Sequence, residues 1–455
     1  MIFRQLIDTD LGCACYLVGD EGRGLVVDPG LDVERVLAAA AEEGLRVELV
    51  LETHVHTDHV SGRALLAERT GATVRLPADG GYDPAAGEAL RDGDAIELGA
   101  VRITALAAPG HRPEHTALLV ADRARSPAPW LLLGGDSLLV GELARPDLAI
   151  DPREGARALH ATVERLGALP DGVELWPGHV GGSLCGGPGL SRKTSSTLGY
   201  ERAANPLLRT DPEELAERLI ASLPVRPPTV EHVVARNRSA APAAGDPVAR
   251  LGPGAFAAAL DDGVTVVDAR SWEAFDAGHL RGSLSLALRG GGLGTRAAWV
   301  LDPGDELVVL ADDEQTATEL AQRLLRVGLG PLRGIAIDDV AVLAAASGRS
   351  LDVGRPIAVA ELPGLVGEVT VVDVRDAPEW RTGHLSGTVH LPLNRLRAEA
   401  ARLPDGPLAV LCARGPRAAF AASWLRARGH DARRVAGGGV ADLPRVGLRL
   451  VAAPA

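Results

Sequence analysis

The decapeptide Thr53-His54-Val55-His56-Thr57-Asp58-His59-Val60-Ser61-Gly62 constrains this chain more than any other stretch. It puts three histidines and an aspartate within six residues, directly after the apolar run 47–51. The 455 residues hold only 12 histidines, so such clustering is not compositional. Neutral imidazoles and a carboxylate are the donors that first-row transition metals take. The fold must therefore end a buried strand at an edge where these polar side chains share one small volume.

The arrangement recurs downstream. The run 101–106 leads to Pro109-Gly110-His111, the run 130–133 to Gly134-Gly135-Asp136-Ser137, and the run 173–176 to Pro177-Gly178-His179. Each ligand candidate follows a short apolar strand, beside a glycine that lets the backbone turn sharply. Helical periodicity at 32–43 and 61–69 alternates with these strands, which predicts an α/β fold with its chemistry at strand ends. Spacing alone leaves the metal content open. All of His54, His56, Asp58, His59, His111, Asp136 and His179 could cage two Zn(II) ions around an activated water. A smaller set could hold one ion. His115 reads as local structure, and Cys13 and Cys15, alternating along a strand, read as core packing.

The order HxHxDH, GH, GDS, PGH resembles the metallo-β-lactamase superfamily, which implies two facing mixed sheets sandwiched between helices, with metal at one edge. Within it, Gly134-Gly135-Asp136-Ser137-Leu138-Leu139-Val140-Gly141 with Arg145-Pro146-Asp147 resembles persulfide dioxygenases. So do Pro177-Gly178-His179-Val180-Gly181-Gly182-Ser183-Leu184-Cys185-Gly186 and Ser195-Ser196-Thr197-Leu198-Gly199-Tyr200-Glu201, running into Asn205-Pro206. This resemblance spans roughly the first 235 residues. It implies one Fe(II) per chain, held by His54, His111 and Asp136, with positions left open for O2 and a persulfide sulfur. His56, Asp58, His59 and His179 become groups that orient ligands or handle protons, or remain ligands of the alternative two Zn(II). Cys185 and Arg145 are possible substrate contacts.

Prolines at 224, 227, 228, 242 and 247 mark a closing arm and a linker. An internal repeat follows. Thr265-Val266-Val267-Asp268-Ala269-Arg270 matches Thr370-Val371-Val372-Asp373-Val374-Arg375, and Gly278-His279-Leu280 matches Gly383-His384-Leu385, each 105 residues apart. Two copies of a small parallel-sheet α/β domain are expected. In the second copy, Cys412-Ala413-Arg414-Gly415-Pro416-Arg417 leads into a helix. Converging backbone N–H groups, the helix N-terminus and two arginines favour a thiolate and an anionic substrate there. That segment resembles rhodaneses, which implies a cysteine that carries sulfane sulfur as a persulfide. In the first copy the cysteine position is Ala311, followed by Asp312-Asp313-Glu314, so no nucleophile is present and anions are repelled.

The chain is thus expected to divide into 1–240 (metallo-β-lactamase fold), 248–350 (inactive rhodanese-like) and 355–455 (active rhodanese). The expected function is oxidation of a low-molecular-weight thiol persulfide by O2 to sulfite, coupled to sulfur transfer through Cys412 between persulfide, sulfite and thiosulfate. The alternative is a dinuclear zinc thioester hydrolase resembling glyoxalase II, with an accessory sulfurtransferase. A third, non-catalytic reading makes the paired copies a sulfur-sensing or partner-binding module, which the acidic loop 312–314 supports for the first copy only. A net charge of −13 argues against nucleic acid and anionic membranes as partners. With no apolar run long enough to span a bilayer and four cysteines outside any disulfide framework, a cytoplasmic homo-oligomer is the expectation.

Overall fold

A computed structural model describes residues 1–452 of the chain except 182, 184, 188, 243–247 and 290. The expected linker at 243–247 and Leu184 of the Ser183-Leu184-Cys185 loop therefore lie outside the described residues. Two compact units form: Met1–Pro224 with Val230–Gly245, and Val225–Thr229 with Asp246–Ala455. Both are α/β.

The first unit holds two six-stranded sheets. One runs in chain order through β1 (Ile2–Ile7), β2 (Ala14–Asp20), β3 (Arg23–Val27), β4 (Arg46–Leu51), β5 (Thr73–Pro77) and β6 (Glu88–Leu90). Its first three strands pair antiparallel and the remainder parallel. The other contains β7 (Ala95–Leu98), β8 (Val101–Ala107), β9 (Thr116–Asp122) and β10 (Leu131–Gly135). After the small β11 (Leu138–Leu139) and β12 (Glu142–Leu143) hairpin, it is completed by β13 (Glu174–Pro177), parallel to β10, and β14 (Ser196–Thr197).

Alternation along these strands builds the layers. Tyr16, Val18, Leu25, Val27 and Leu51 face Leu98, Ile103, Leu118, Val120 and Leu133 in a core between the sheets. The opposite residues meet helices. Leu17, Val26 and Val50 pack under α1 (Val33–Glu42) and α2 (Arg63–Thr70). Leu132 and Leu175 pack under α3 (Pro152–Gly167) and, following α4 (Leu198–Ala204), α5 (Pro212–Ala221). Asp151 starts α3 by accepting from the Arg153 and Glu154 N–H groups, with Pro152 in the first turn. Finally α6 (Val230–Arg238) returns to the edge where β4 ends. Helix, sheet, sheet and helix leave the C-terminal ends of β4, β10 and β13 at one rim.

The second unit repeats one motif. Leu284–Ser285, Thr265–Asp268, Leu307–Leu310 and Leu332–Ala336 form a parallel sheet in that order. Ile357–Ala358, Ala432–Ala436, Leu408–Leu411, Thr370–Asp373 and Val389–His390 form the second. In each copy an arginine forks onto the aspartate two residues earlier: Arg270 on Asp268 and Arg375 on Asp373, both through Nη2 at 2.7 Å. The copies are pinned together by a buried ion pair of Arg434 with Asp276 at 2.6 Å and by the Ser285 N–H donating to Ser423 Oγ. Among the described residues, no helix is long and apolar enough to cross a membrane.

Candidate metal centre and sulfur-transfer loop

The loop after β4 carries His54, His56, Asp58 and His59 inward, and all but the half-buried Asp58 are buried. Its backbone is held from a distance. Buried Asn237 of α6 donates through Nδ2 to the His56 and His59 carbonyls (3.0 and 2.8 Å) and accepts from the Ser61 N–H (2.8 Å). Asp28, at the end of β3, accepts from the Thr53 N–H and hydroxyl (2.7 and 2.8 Å).

Three donor atoms converge at this rim. His111 Nε2 lies 3.4 Å and His54 Nε2 3.9 Å from Asp136 Oδ2. All three are buried, and none has a hydrogen-bond partner among the described residues. The other ring nitrogens are engaged. His54 Nδ1 meets Thr53 Oγ1 at 2.9 Å, and that hydroxyl is already spent as a donor on Asp28. His111 Nδ1 meets the Arg145 carbonyl at 2.9 Å. Both contacts assign the ring proton to Nδ1 and leave the Nε2 lone pairs free, the tautomer a metal ligand requires. Burial, with neighbouring histidines adding to it, pushes the His54 pKa well below its usual value. Burial also lowers that of His111. These rings stay neutral. Burial opposes a charge on Asp136, but the His179 imidazole beside it outweighs that and keeps the carboxylate ionised.

The remaining polar groups turn mostly toward one another. His56 Nε2 lies between Asp28 (3.2 Å) and Glu52 (2.8 Å), which overcome burial and hold the ring protonated. His179 bridges Asp136 through Nδ1 (2.7 Å) and Asp58 through Nε2 (2.9 Å). His115 accepts the Asp136 N–H on Nε2 (2.9 Å) and contacts Ser137 Oγ through Nδ1, so it shapes the loop rather than facing its donors. Two glycines make this crowding possible. A Cβ on Gly135, whose φ is +50°, would sit 2.4 Å from His115 Nε2, and one on Gly178 would sit 2.5 Å from Asp136 Oδ1.

Two sequence expectations change. The Arg145 guanidinium is committed to Asp147 (2.7 and 2.8 Å) and the Pro224 carbonyl, so it braces the loop that orients His111 and has no free fork for substrate. Cys15 packs in the core beneath α1, but Cys13 does not. It precedes β2, bridges to His179 through the backbone, and puts its thiol 3.0 Å from Asp58 Oδ2. Cys185 also reaches the site, its sulfur within 4.8 Å of donor atoms of Asp136 and His179, and burial pushes its thiol up to about 12. Asn237 and Glu52 were not singled out from the sequence. Glu52 directly follows β4, but its contacts with His56 and Ser61 appear only in the fold, and Asn237 reaches the loop from α6.

In the second unit, Cys412 directly follows the strand Leu408–Leu411, and its sulfur accepts from the Gly415 N–H at 3.0 Å, just before the helix Pro416–Ala427. Arg417 is clamped by Glu379 (2.5 and 2.9 Å) and Asp376 (3.0 Å), whereas Arg414 is exposed. The equivalent loop of the first copy has Ala311 buried and Asp313 capping the helix Glu314–Arg326 through the Thr316 N–H.

The metallo-β-lactamase superfamily profile matches residues 8–179. The hydroxyacylglutathione hydrolase of Chromohalobacter salexigens is 32% identical over 219 residues, covering 43% of this chain and 81% of that relative. The chain belongs to the metallo-β-lactamase superfamily. The rhodanese-like domain profile matches 253–344 and 359–441, so this superfamily member carries two rhodanese-like domains. Its superfamily domain is comparably similar to the mitochondrial persulfide dioxygenase ETHE1 of Bos taurus, at 28% identity over 224 residues, 48% of this chain and 80% of that one. Among solved structures, a metallo-β-lactamase from Staphylococcus aureus subsp. aureus COL aligns with a TM-score of 0.65 and 26% identity, over 74% of this chain and 98% of its own.

Proposed function

We propose that the first unit is an Fe(II)-dependent persulfide dioxygenase and that Cys412 is a sulfurtransferase nucleophile working on the same sulfur pool. The observation that carries this reading is the set His54 Nε2, His111 Nε2 and Asp136 Oδ2: buried, convergent and without partners among the described residues. Two imidazoles and one carboxylate with open positions suit non-haem Fe(II). Bound there, iron would supply the redox chemistry that lets O2 react with a persulfide. The overall reaction balances as RSSH + O2 + H2O giving RSH and sulfurous acid, with the terminal sulfur giving up the four electrons O2 takes.

The chain's own residues have separable tasks. Thr53 and the Arg145 carbonyl fix the two ligand tautomers, and His115 holds the Asp136 backbone. His179, between Asp136 and Asp58, can hold or release a proton at Nε2 as the thiol product leaves. In the second unit, the Cys412 thiolate takes the sulfane sulfur of a persulfide and releases RSH; sulfite then removes that sulfur as thiosulfate and restores the thiolate. The Gly415 N–H stands where negative charge collects on the Cys412 sulfur, while the Arg417 fork is held by Glu379 and Asp376.

The second reading is the dinuclear zinc thioester hydrolase. It is favoured by the hydroxyacylglutathione hydrolase relatives and by further buried atoms without partners among the described residues, His56 Nδ1, Asp58 Oδ1 and His59 Nε2. Anaerobic metal analysis with O2 uptake on glutathione persulfide separates the two. About one iron per chain and stoichiometric sulfite are expected, and Cys412→Ser should abolish thiosulfate formation while leaving O2 uptake unchanged. Two zinc ions per chain with thioester hydrolysis and no O2 uptake would overturn the dioxygenase.

A further inference from the structure

Behind the metal loop, two arginines share a cavity with no counter-charge among the described residues. Arg63, in the first turn of α2, is only 3% exposed. Its guanidinium donates to one acceptor, the Ser239 carbonyl at 2.8 Å from Nη2, and lies 5.5 Å from the Tyr82 ring centroid. The Arg63 Nε is buried and has no partner among the described residues. Arg236, near the end of α6, is half-buried, and its side chain has no hydrogen-bond or ion-pair partner among those residues either. Glu52, the acid behind Ser61, is taken up by the Ser61 hydroxyl and by His56. Burying a guanidinium without an opposite charge is costly, and an anion placed between the two removes that cost.

The cavity they line measures about 120 Å³ and is completed by Ala64, Ser239 and Pro242 among others. At roughly 30 Å³ for each water in the liquid, it holds about four waters, room for one compact ion and not for a ring system. Its polar side chains offer donors. Ser239 Oγ accepts from the Ala241 N–H at 3.1 Å, which leaves its own proton to give. Guanidinium forks match the paired oxygens of an oxyanion, and Ala64 brings the opening turn of α2, whose dipole favours negative charge. Selection is therefore for a compact oxyanion.

We infer that this cavity binds sulfite or thiosulfate, and that its occupancy tightens the metal loop. The choice of sulfur oxyanions rests on the reaction proposed above; the cavity and its arginines do not. The path to the loop is short. The Arg63 N–H donates to Ser61 Oγ at 3.0 Å, and the Ser61 N–H donates to Asn237 Oδ1 at 2.8 Å. Asn237, next to Arg236, holds the His56 and His59 carbonyls. An ion bridging Arg63 and Arg236 thus ties the start of α2 to the end of α6 across the back of the loop. No covalent bond is made or broken, so a sulfur oxyanion formed by the chain acts on the metal loop through binding alone.

Calorimetric titration of the anaerobic, full-length Cys412→Ser protein tests this, the serine removing the thiol that exchanges sulfur with such ions. Sulfite and thiosulfate should each bind at one site per chain. Binding should weaken about tenfold or more in Arg236→Gln and in Arg63→Lys, the scale of losing a charged hydrogen bond. Benzenesulfonate, too large for the cavity, should bind at least about tenfold more weakly than sulfite. Sulfite should also slow amide hydrogen exchange at residues 56–61 in the parent and not in Arg236→Gln. Binding that survives both arginine variants, or benzenesulfonate binding as tightly as sulfite, would overturn the site. Phosphate binding more tightly than either sulfur anion would overturn the ligand, and unchanged amide exchange would overturn the coupling. None of these measurements requires turnover, whereas the dioxygenase reading fails on O2 uptake, so the two fail separately.

Discussion

Asn237 offers the sharpest test of how the metal loop is held. It lies more than 170 residues beyond that loop, yet its carboxamide satisfies two carbonyls and one N–H of the 56–61 backbone. Asn237→Ala leaves all three without partners in a buried setting. At about 1–3 kcal/mol for each orphaned polar group, the low end of the range already costs about 3 kcal/mol. Water entering the gap would keep the loss near that low end. Because the loop carries His54, loosening it should also weaken metal binding by roughly 10- to 100-fold, the usual effect of removing a group that orients ligands. Asn237→Asp is a stricter probe. It preserves the acceptor for Ser61 but aims a carboxylate at two carbonyl oxygens, so it should be at least as damaging as alanine. Chelator competition under anaerobic conditions measures the iron affinity, and calorimetry measures the unfolding of the first unit. An alanine variant that binds iron within twofold of the parent, or an aspartate variant that matches it, would refute the claim that this side chain fixes the loop.

Two further outcomes concern the second unit. A Cβ on Gly439 would lie 2.0 Å from the Ala413 carbonyl oxygen and 2.8 Å from that of Cys412, so Gly439→Ala should displace the nucleophile loop. Thiosulfate formation should fall by about tenfold or more, the scale of a 1–3 kcal/mol overpacking cost, while persulfide-dependent O2 uptake is retained; unchanged sulfur transfer would argue against the close packing. His279, stacked on Phe275 at 3.9 Å, has its pKa lowered by burial to about 4, against about 6.5 when exposed. Between those values the unfolded chain binds the extra proton, so the stabilisation from the neutral ring is complete above about pH 6.5 and is lost as pH falls toward 4. The denaturation midpoint of the second unit should drop across that window in the parent protein and drop less in His279→Gln; parallel curves would count against a neutral buried ring.

Much of the fold was legible because it is written locally. The runs 47–51, 130–133 and 173–176 are short and largely apolar, the last two followed within two residues by a glycine, and they become β4, β10 and β13, which end at one rim. The 105-residue repeat announced two related sheets, since Thr265–Asp268 and Thr370–Asp373 occupy matching central positions. Ala311, where the second copy holds Cys412, and Asp313, which caps the helix that follows, are both read from single residues of one loop.

One failure has a different cause, which is long-range geometry. Strand alternation alone would put Cys13 and Cys15 on one face, and it says nothing about what lies across from a residue just ahead of a strand. Only the pairing of 12–14 with 178–180 brings that thiol to Asp58, and no spacing rule links positions so far apart. Arg145 failed for the opposite reason. Its partner is two residues away, and a basic side chain near a metal loop invites a substrate role until Asp147 is seen to occupy its fork. A sequence thus identifies which residues have the chemistry for a site. It does not say which have already spent that chemistry on their neighbours, and here the distinction separates His54, His111 and Asp136, with their unpartnered atoms, from His115 and Arg145, whose capacity is used in holding them.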